Sequence, residues 1–312
     1  MKFLYLLEKI RNPVFDFFFS LVTHIGEETV FLVVALLFFW CINKRWGYYM
    51  LISGLVGTVV NQAAKLTFKI PRPWIKDPSF TIVESARAEA TGYSFPSGHT
   101  QNTAGTFGAI ARWSSKKSVR VIAITIIVLV ALSRMYLGVH TPLDVGVSLL
   151  VAAIIIFGLY PIFKSEESFK RYMPIVTVVS TLLALGLLLF VFLMSDLGVD
   201  PSNLYSGKKN GATLFGCTMA LIPVYYVDTK YINFETDAKW YSQVLKFVLG
   251  LAFVLAIKSG LSSPLVSIFG NEFVARAVRY FLIVIFAGIV WPLTFKYFSR
   301  LRIKAFDREN KK

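Results

Sequence analysis

The sequence predicts an all-α fold, a polytopic bundle of transmembrane helices. Of the 312 residues, 55% are hydrophobic and only 16% are charged, and the mean hydropathy is +0.61. Soluble domains carry about 25% charged residues. Apolar stretches near the roughly 20 residues that a helix needs to cross a bilayer recur along the chain. These observations exclude a soluble globular protein and place the function at a membrane.

The apolar stretches are interpreted as nine transmembrane helices. They cover residues 29–43, 47–67, 99–113, 119–138, 140–163, 174–195, 211–227, 244–268 and 276–298. The first 26 residues are treated separately, because Pro13 precedes the apolar run 14–22 and Asp16 interrupts it. We expect an interfacial amphipathic helix there, with a short span as the alternative. No cleavable signal peptide is expected at the amino terminus.

The charge pattern predicts a membrane protein with a defined orientation. The formal net charge is +15, but Lys and Arg lie in short loops, so nucleic acid is not an expected partner. Most of them fall on one side of the predicted helices, which the positive-inside rule assigns to the cytoplasm. Loop 69–98 then faces outward. Cys41 and Cys217 lie inside apolar stretches, which favours packed thiols over a disulfide or a metal site.

Three polar clusters lie at the outer ends of predicted helices, where ionisable side chains are costly unless they are paired or hydrated. In the first cluster, Lys65 and Arg72 are two helical turns apart, and Pro73 helps to stop the helix. Two cations that face one place indicate an anion site. Snorkelling of both side chains to lipid head groups is the alternative interpretation.

The second cluster is Ser97, Gly98 and His99, directly before a span. Gly98 is expected to permit a tight turn, after which backbone N–H groups point outward and can bind an anion. The Ser97 hydroxyl and the His99 imidazole would join them. The alternative is that Ser97 only caps the helix and that the position of His99 is incidental.

The third cluster contains Arg134, His140 and Asp144, and Gly138 is expected to break the helix between the first two. The spacing from His140 to Asp144 predicts that both side chains share one helical face. The carboxylate would then orient the imidazole and leave the other ring nitrogen free as a nucleophile or base. A purely structural His–Asp pair is the alternative.

Together the clusters predict one pocket for a phosphoryl group. Phosphoryl transfer requires charge neutralisation at the phosphoryl oxygens, an in-line nucleophile and a proton for the leaving oxygen. Cations, amides and imidazoles supply these functions. No cluster of carboxylate, Cys or His ligands suits a metal ion, because arginine side chains occupy the place that the metal would take. The sequence therefore predicts phosphoryl transfer without a metal or another cofactor.

The order and spacing of these residues resemble one known family. The matching positions are Lys65, Arg72-Pro73, Pro96-Ser97-Gly98-His99, Ser133-Arg134, His140 and Asp144. They are similar to the motifs of the type 2 phosphatidic acid phosphatase (PAP2) superfamily, and the apolar spans point to its membrane lipid phosphatase branch. The resemblance covers residues 27–163 and implies a catalytic transmembrane core of six helices.

The resemblance also implies a role for each residue. His140 would attack phosphorus and form a phosphohistidine that water hydrolyses. Asp144 would orient His140, and His99 would protonate the leaving alkoxide. The phosphate would be held by Lys65, Arg72, Ser97, Gly98 and Arg134. Residues 164–298 add transmembrane helices without a catalytic motif, and residues 299–312 form a basic cytoplasmic tail.

The expected protein is an integral membrane lipid phosphate phosphatase that acts on a phosphomonoester or diphosphate. Phosphatidic acid, phosphatidylglycerophosphate, polyprenyl diphosphates and sphingoid phosphates are substrates that the resemblance implies. We favour a polyprenyl diphosphate or a glycerolipid phosphate at the outer face of a bacterial cytoplasmic membrane. A non-hydrolytic binding or transport protein for lipid phosphates and a lipid-to-lipid phosphotransferase are the alternatives. The sequence does not predict an oligomeric state.

Overall fold

The computed structural model describes residues 1–193 and 198–301. These residues form α-helices joined by loops and short 3-10 or π turns, without a β-strand, so the predicted all-α fold is confirmed. In chain order the helices are α1 Lys2–Lys9, α2 Pro13–Thr23, α3 Glu28–Leu37, α4 Lys44–Phe68, α5 Pro73–Lys76, α6 Gly98–Trp113, α7 Lys117–Tyr136, α8 Pro142–Lys164, α9 Glu166–Leu193, α10 Pro201–Val227, α11 Trp240–Gly260, α12 Ser262–Phe269, α13 Glu272–Ile285 and α14 Phe295–Arg300.

Several helices are long and apolar enough to cross a membrane, as expected of an integral membrane protein. Among the described residues, five candidate spans meet this test: Lys117–Tyr136, Pro142–Lys164, Glu166–Leu193, Trp240–Phe269 and Glu272–Arg300. A sixth results if Pro13–Gly26 and Glu28–Ile42, which are bent by 52° relative to each other, cross together. The bend joins part of the amino-terminal segment to the first predicted span. Whether that segment lies at the interface stays a prediction.

The described part of each of the nine predicted spans overlaps one or more helices. Helices α4, α6 and α10, however, are too short or too polar to meet the length and hydropathy test for a span. Their polar side chains face other helices rather than lipid: Asn61, Gln101 and Thr218 are all buried. Because neighbouring helices accept these groups, the apolar periodicity of such spans is weak. The predicted end of the sixth span, residues 194–195, lies outside the described residues.

Helix α4 runs through the middle of the bundle and packs against α3, α6, α8, α9 and α10. Small residues allow close helix approaches, which is a common device of membrane bundles. At Gly216 of α10, a Cβ atom would lie 2.2 Å from the carbonyl oxygen of Ala277 on α13. The bulky apolar side chains of the outer faces, such as Phe157 and Ile154, are exposed and suit contact with lipid. Cys41 and Cys217 are free thiols, as predicted.

Candidate active site

Four helix ends meet on one side of the bundle. The carboxyl ends of α4 and α7 lie beside the amino ends of α6 and α8, and together they border a cavity of about 320 Å³. Six of the predicted site residues line this cavity: Lys65, Arg72, Gly98, His99, Arg134 and His140. The predicted convergence of the three clusters is therefore observed. Ser97 and Asp144 lie behind the cavity wall, fully or almost fully buried.

Lys65 and Arg72 reach the cavity from different local structures. Lys65 lies in the last turn of α4, where its Nζ donates a hydrogen bond to the Tyr93 carbonyl at 2.6 Å. The helix ends at Phe68, and Lys69 takes a left-handed conformation with φ 50°. Arg72 follows in extended backbone with ψ 153°. The prediction that helical spacing aligns the two cations is wrong, because the chain has left the helix before Arg72.

The guanidinium of Arg72 is buried and held by several acceptors. Its Nε donates to the Gly92 carbonyl at 3.0 Å, and Nη2 donates to the Thr91 carbonyl at 2.7 Å. Nη1 donates to the Val139 carbonyl at 3.0 Å and lies 2.9 Å from Nε2 of His140. Burial lowers the pKa of Arg72 to about 10, while the negative charge of Asp144 raises it. Arg72 therefore stays cationic at neutral pH and fixes one side of the cavity.

The contact between Arg72 and His140 determines which ring nitrogen of His140 carries a lone pair. A guanidinium can only donate, so Nε2 must accept, and the neutral ring then carries its proton on Nδ1. Nδ1 lies 3.5 Å from Oδ2 of Asp144. Burial, and next the positive charge of Arg72, lowers the pKa of His140 well below its usual range. A neutral imidazole with its lone pair on Nε2 has the form that a nucleophile requires, once Arg72 releases that lone pair.

Asp144 is fixed by the amino end of α8. Thr141 is the residue that caps this helix, and its backbone N–H donates to Asp144 Oδ2 at 2.7 Å. The Asp144 N–H donates to the Thr141 hydroxyl at 3.2 Å, which completes a reciprocal capping box. The prediction that His140 and Asp144 share a helical face is wrong, because His140 precedes the helix. The capping box brings the carboxylate back toward His140 instead.

Ser94 is a residue of this site that the sequence interpretation missed. Its buried hydroxyl donates to Asp144 Oδ2 at 2.6 Å and lies 3.5 Å from Nδ1 of His140. It therefore bridges the carboxylate and the imidazole. The only signal in the sequence was a polar residue directly before the Phe95-Pro96 pair, and nothing in that position distinguishes a bridging serine from a loop serine.

The amino end of α6 supplies the opposite wall. Ser97 caps this helix, and its hydroxyl accepts a hydrogen bond from the Thr100 hydroxyl at 3.0 Å. Gly98 is the first helical residue, and a Cβ there would meet nothing within 4 Å. Gly98 has no positive φ, so its backbone is one that other residues can adopt, and its missing side chain leaves this side of the cavity open. His99 follows it, with Nε2 3.6 Å from Oε2 of Glu89.

Arg134 enters from the last turn of α7. It is almost completely buried, and its Nη1 donates to the hydroxyl of Thr23, which precedes the turn between α2 and α3. Helix α7 ends at Tyr136, and Gly138 takes φ 82°, so the predicted break at Gly138 is confirmed. The Arg134 carbonyl accepts the His140 N–H at 3.2 Å. The break thus holds the two residues on adjacent parts of the cavity wall.

Glu89, in the loop between α5 and α6, brings a carboxylate close to His24 and His99. Glu89 lies 3.6 Å from His99 and 3.6 Å from His24, and His24 is 2.5 Å from Glu27. The ligand atoms of His24, Glu27 and Glu89 all lie within 4.8 Å of one another, so the described residues do contain a group with the spacing of a metal site. This group was not seen in the sequence, because its members come from two distant segments. Metal independence stays a prediction.

The carboxyl-terminal helices also line the cavity. Four residues of α10 and one of α13 border it: Asn203, Ser206, Lys209, Asn210 and Arg276. The sequence gave no indication of this, because these residues form no motif with the three clusters. Residues 164–298 therefore do more than surround the core with apolar helices, and they contribute directly to the wall of the candidate site.

Known proteins resemble the chain over both regions. The PAP2 superfamily profile matches residues 45–168, and the profile described as PAP2 superfamily phosphatase, transmembrane extension, matches residues 209–304. The phosphatidylglycerophosphatase B of Bacillus subtilis is 32% identical over 181 residues, which are 52% of this chain and 81% of that protein. No solved structure matches the chain.

Two further relatives act on different lipids according to their names. The undecaprenyl-diphosphatase of Sulfolobus acidocaldarius is 31% identical over 153 residues, 46% of this chain and 72% of that protein. The sphingosine-1-phosphate phosphatase 1 of Mus musculus is 27% identical over 270 residues, 81% of this chain and 61% of that protein. The profile matches, the similarity to the Bacillus relative and the convergence of the motif residues agree: this chain belongs to the PAP2 superfamily and carries its transmembrane extension.

Proposed function

We propose that this protein is an integral membrane phosphatase that hydrolyses a lipid phosphomonoester or diphosphate through a phosphohistidine on His140. The observation that carries the proposal is the environment of this residue. His140 lines the cavity, its Nε2 accepts a hydrogen bond from Arg72, and its Nδ1 lies near Asp144 and Ser94. A pure binding site would have little use for a neutral, oriented imidazole among three cations.

In the first step, His140 Nε2 attacks phosphorus and the bond from phosphorus to the lipid oxygen breaks. The proton on His140 Nδ1 faces Asp144, which stabilises the positive charge that the ring acquires. Lys65, Arg72 and Arg134 neutralise the phosphoryl oxygens, and the Gly98 amide at the open start of α6 donates to them. The Ser97 hydroxyl accepts from Thr100, so its own proton is left to donate, but Ser97 is buried behind the cavity wall and would have to turn toward the phosphoryl group.

In this proposal the imidazolium form of His99 is the proton donor to the leaving lipid oxygen. Before a phosphate binds, burial and the neighbouring cations lower the pKa of His99 to about 2, so the bound phosphate dianion must supply the negative charge that keeps His99 protonated. His99 lies on the cavity wall opposite His140, on the other helix start, and Glu89 is close enough to hold its ring. In the second step the neutral His99 removes a proton from water, which attacks the phosphohistidine. The phosphorus–nitrogen bond breaks, inorganic phosphate leaves, and both histidines return to their starting forms.

We propose further that the active site faces the outside of a bacterial cytoplasmic membrane. Helices α4, α7 and α8 each have one end at the cavity and a lysine at the other end. These lysines are Lys44 at the start of α4, Lys117 at the start of α7 and Lys164 at the end of α8. The positive-inside rule places the basic ends in the cytoplasm. The cavity then opens toward the outside, at the depth of lipid head groups.

The substrate proposed here is a polyprenyl diphosphate or a glycerolipid phosphate. Names of relatives cover both kinds, together with a sphingoid phosphate, so relatives alone do not select one. The cavity of about 320 Å³ accommodates a phosphorylated head group but not the hydrocarbon chains. The chains would therefore stay in the bilayer while the head group enters the cavity.

The test is phosphate release from a lipid panel by purified protein in detergent with a chelator present. The panel contains phosphatidic acid, phosphatidylglycerophosphate, a polyprenyl diphosphate and sphingosine 1-phosphate. We expect the wild type to release phosphate from at least one of them and the His140→Ala variant to release none. His24→Ala is the matched control, because His24 is the one histidine that does not line the cavity.

The alternatives have different outcomes in the same assay. Folded wild-type protein that binds lipid phosphates but releases nothing would identify a binding or transport protein and overturn the phosphatase. Transfer of labelled phosphate to an added lipid alcohol, in preference to water, would identify a phosphotransferase that uses the same intermediate.

A further inference from the structure

We propose that helices α10 and α13 of the transmembrane extension form a second anion subsite in the catalytic cavity, which binds a second phosphate of the substrate next to the phosphoryl group that is transferred. The inference rests on the proposed phosphatase function and names the part of the substrate that the extension recognises. That part is the second phosphate of a lipid diphosphate or the phosphodiester of a phospholipid head group.

A close helix contact brings the extension to the catalytic core. At Gly207 of α10, a Cβ atom would lie 2.7 Å from Cδ1 of Leu66, which directly follows Lys65 on α4. A side chain at this position would force the end of the Leu66 side chain to move. A second contact joins α10 to the outer loop, because the Asp200 N–H donates to the Tyr93 hydroxyl at 3.3 Å. The carbonyl of Tyr93 in turn accepts the hydrogen bond from Lys65.

The helical spacing of α10 places a polar face toward the cavity. Asn203, Ser206 and Asn210 are separated by three and four residues, so they share one side of the helix. All three line the cavity. Among residues 1–193 and 198–301, their side chains have no hydrogen-bond partner. Amide and hydroxyl groups in this position are available as donors to an anionic ligand.

Two cations complete the wall. Arg276 of α13 donates from Nε to the Thr213 hydroxyl at 2.7 Å, which fixes the guanidinium against α10. Its terminal nitrogens have no hydrogen-bond partner in the described part of the chain and can bind a phosphate in a bidentate manner. Lys209 lies with Nζ 4.4 Å from the centre of the Tyr205 ring. Neither cation forms an ion pair with a described carboxylate within 4.0 Å.

The acidic residues of the cavity do not cancel this charge. Glu28 of α3 lies in the wall and interacts electrostatically with Arg276, and Glu89 lies beside the imidazoles of His24 and His99. Within residues 1–193 and 198–301, no carboxylate lies within 4.0 Å of the Lys209 ammonium group. The extension therefore adds net positive charge to a cavity in which Lys65, Arg72 and Arg134 already match the transferred phosphoryl group. A ligand with a second negative group uses both sets of cations.

The experiment compares substrates that share their hydrocarbon part and differ in the second phosphate. The pairs are dodecyl diphosphate with dodecyl phosphate, and phosphatidylglycerophosphate with phosphatidic acid. For Lys209→Ala and Arg276→Gln, we expect the ratio of kcat/KM within a pair to shift against the doubly charged member by roughly ten- to a hundredfold. The pair with the larger change in this ratio identifies whether the subsite fits the second phosphate of a lipid diphosphate or the phosphodiester of a phospholipid head group.

Lys208→Ala is the matched control, because Lys208 is adjacent in sequence but has its Nζ 5.1 Å from the Phe192 ring and does not line the cavity. We expect it to leave both ratios unchanged. Equal losses on both members of a pair, or unchanged ratios in the Lys209 and Arg276 variants, would overturn the subsite. A wild type that prefers sphingosine 1-phosphate and loses that preference in Glu28→Gln would also overturn it, since an ammonium group would then occupy the wall.

Binding separates this inference from the proposed function. In the His140→Ala background, which cannot turn over, the affinity for dodecyl methylenediphosphonate is compared with that for dodecyl phosphonate by calorimetry. We expect Lys209→Ala to weaken only the first ligand by about tenfold. This result would support the subsite even if the wild type released no phosphate, whereas equal affinities of the two ligands for the parent protein would contradict it.

Discussion

The core helices α4 to α8 and the extension helices α10 to α14 contribute to one cavity in different ways. The core residues are fixed in advance: Arg72 has four hydrogen-bonding contacts and Asp144 completes a capping box. The extension side chains Asn203, Ser206 and Asn210 have no such partners among the described residues. Fixed groups suit a reaction that is common to many substrates, and free groups suit a ligand that brings its own partners.

This difference predicts a division of labour. Substitutions in the core should lower the rate on every substrate, because the transferred phosphoryl group is always the same. Substitutions in the extension should change which lipid is preferred, because only some lipids reach that wall with a charged group. The predictions below test this division, from the largest expected effect to the smallest.

The largest effect is expected for the nucleophile. His140→Ala should lower phosphate release from every lipid by roughly 10³-fold or more, because it removes the nitrogen that attacks phosphorus. The measurement is kcat on a diphosphate and a monophosphate substrate. A residual rate that differs strongly between the two lipids would break the comparison, since the core would then contribute to selectivity.

The groups behind the nucleophile should have smaller but equally general effects. Asp144→Asn should lower kcat by roughly 10²- to 10⁴-fold, because Nδ1 loses the carboxylate that stabilises the charged ring. Ser94→Ala should lower it by about 10- to 100-fold, because the carboxylate loses one hydrogen bond but keeps its capping contacts.

Both variants are positioning changes, so KM should move little while kcat falls. Thr100→Val serves as a control for small polar-to-apolar changes in the same region. It removes the hydroxyl that donates to Ser97, and this contact does not involve His140. A fall in kcat in this control equal to that in Ser94→Ala would contradict the specific role of Ser94.

Adding one methyl group at the contact between α10 and α4 should change both stability and substrate selectivity. Gly207→Ala places a Cβ atom 2.7 Å from Leu66 and should destabilise the protein by about 1–3 kcal/mol through overpacking. It should also shift selectivity, because α10 moves away from α4. The measurement is the unfolding temperature in detergent together with the substrate ratios. Gly158→Ala is the control, since a Cβ there meets nothing within 4 Å; equal effects in both variants would contradict the close approach.

The smallest effect is expected from metal removal. Activity after extensive chelation should equal the untreated activity, because three cationic side chains occupy the positions where a metal would neutralise charge. Chelation could still lower the activity, because the ligand atoms of His24, Glu27 and Glu89 have the spacing of a metal site. Three results together would assign a metal ion to His24, Glu27 and Glu89. Activity would be lost on chelation, a divalent ion would restore it, and the same ion would restore no activity to a His24→Ala, Glu27→Ala double variant.

The sequence predicted which core residues lie together better than it predicted how the backbone brings them together. His140 and Asp144 were paired correctly, but through a supposed helical face rather than through a capping box. Lys65 and Arg72 were joined by a helix that in fact ends at Phe68. Residue types report which reactions are possible, whereas local backbone at helix ends depends on caps and turns that several sequences can form.

Sequence interpretation missed the residues that the extension and the loop between α5 and α6 contribute to the cavity. Lys209 and Arg276 are ordinary cations near helix starts, and only the approach of α10 to α4 at Gly207 turns them toward the cavity. Glu89 reaches His99 from a loop without periodic pattern. Contacts of this kind are tertiary and leave no local signal, so they could not be predicted without the fold.

The most direct test of the central claim is to trap the intermediate. Wild-type protein is mixed with substrate that carries radioactive phosphorus in the transferred group, quenched in alkali within one turnover and digested. The account predicts label on the peptide that contains His140, stable to base, released by acid and absent from His140→Ala. Rapid phosphate release by the wild type with no labelled protein at any time point would contradict it, because water would then attack the substrate directly.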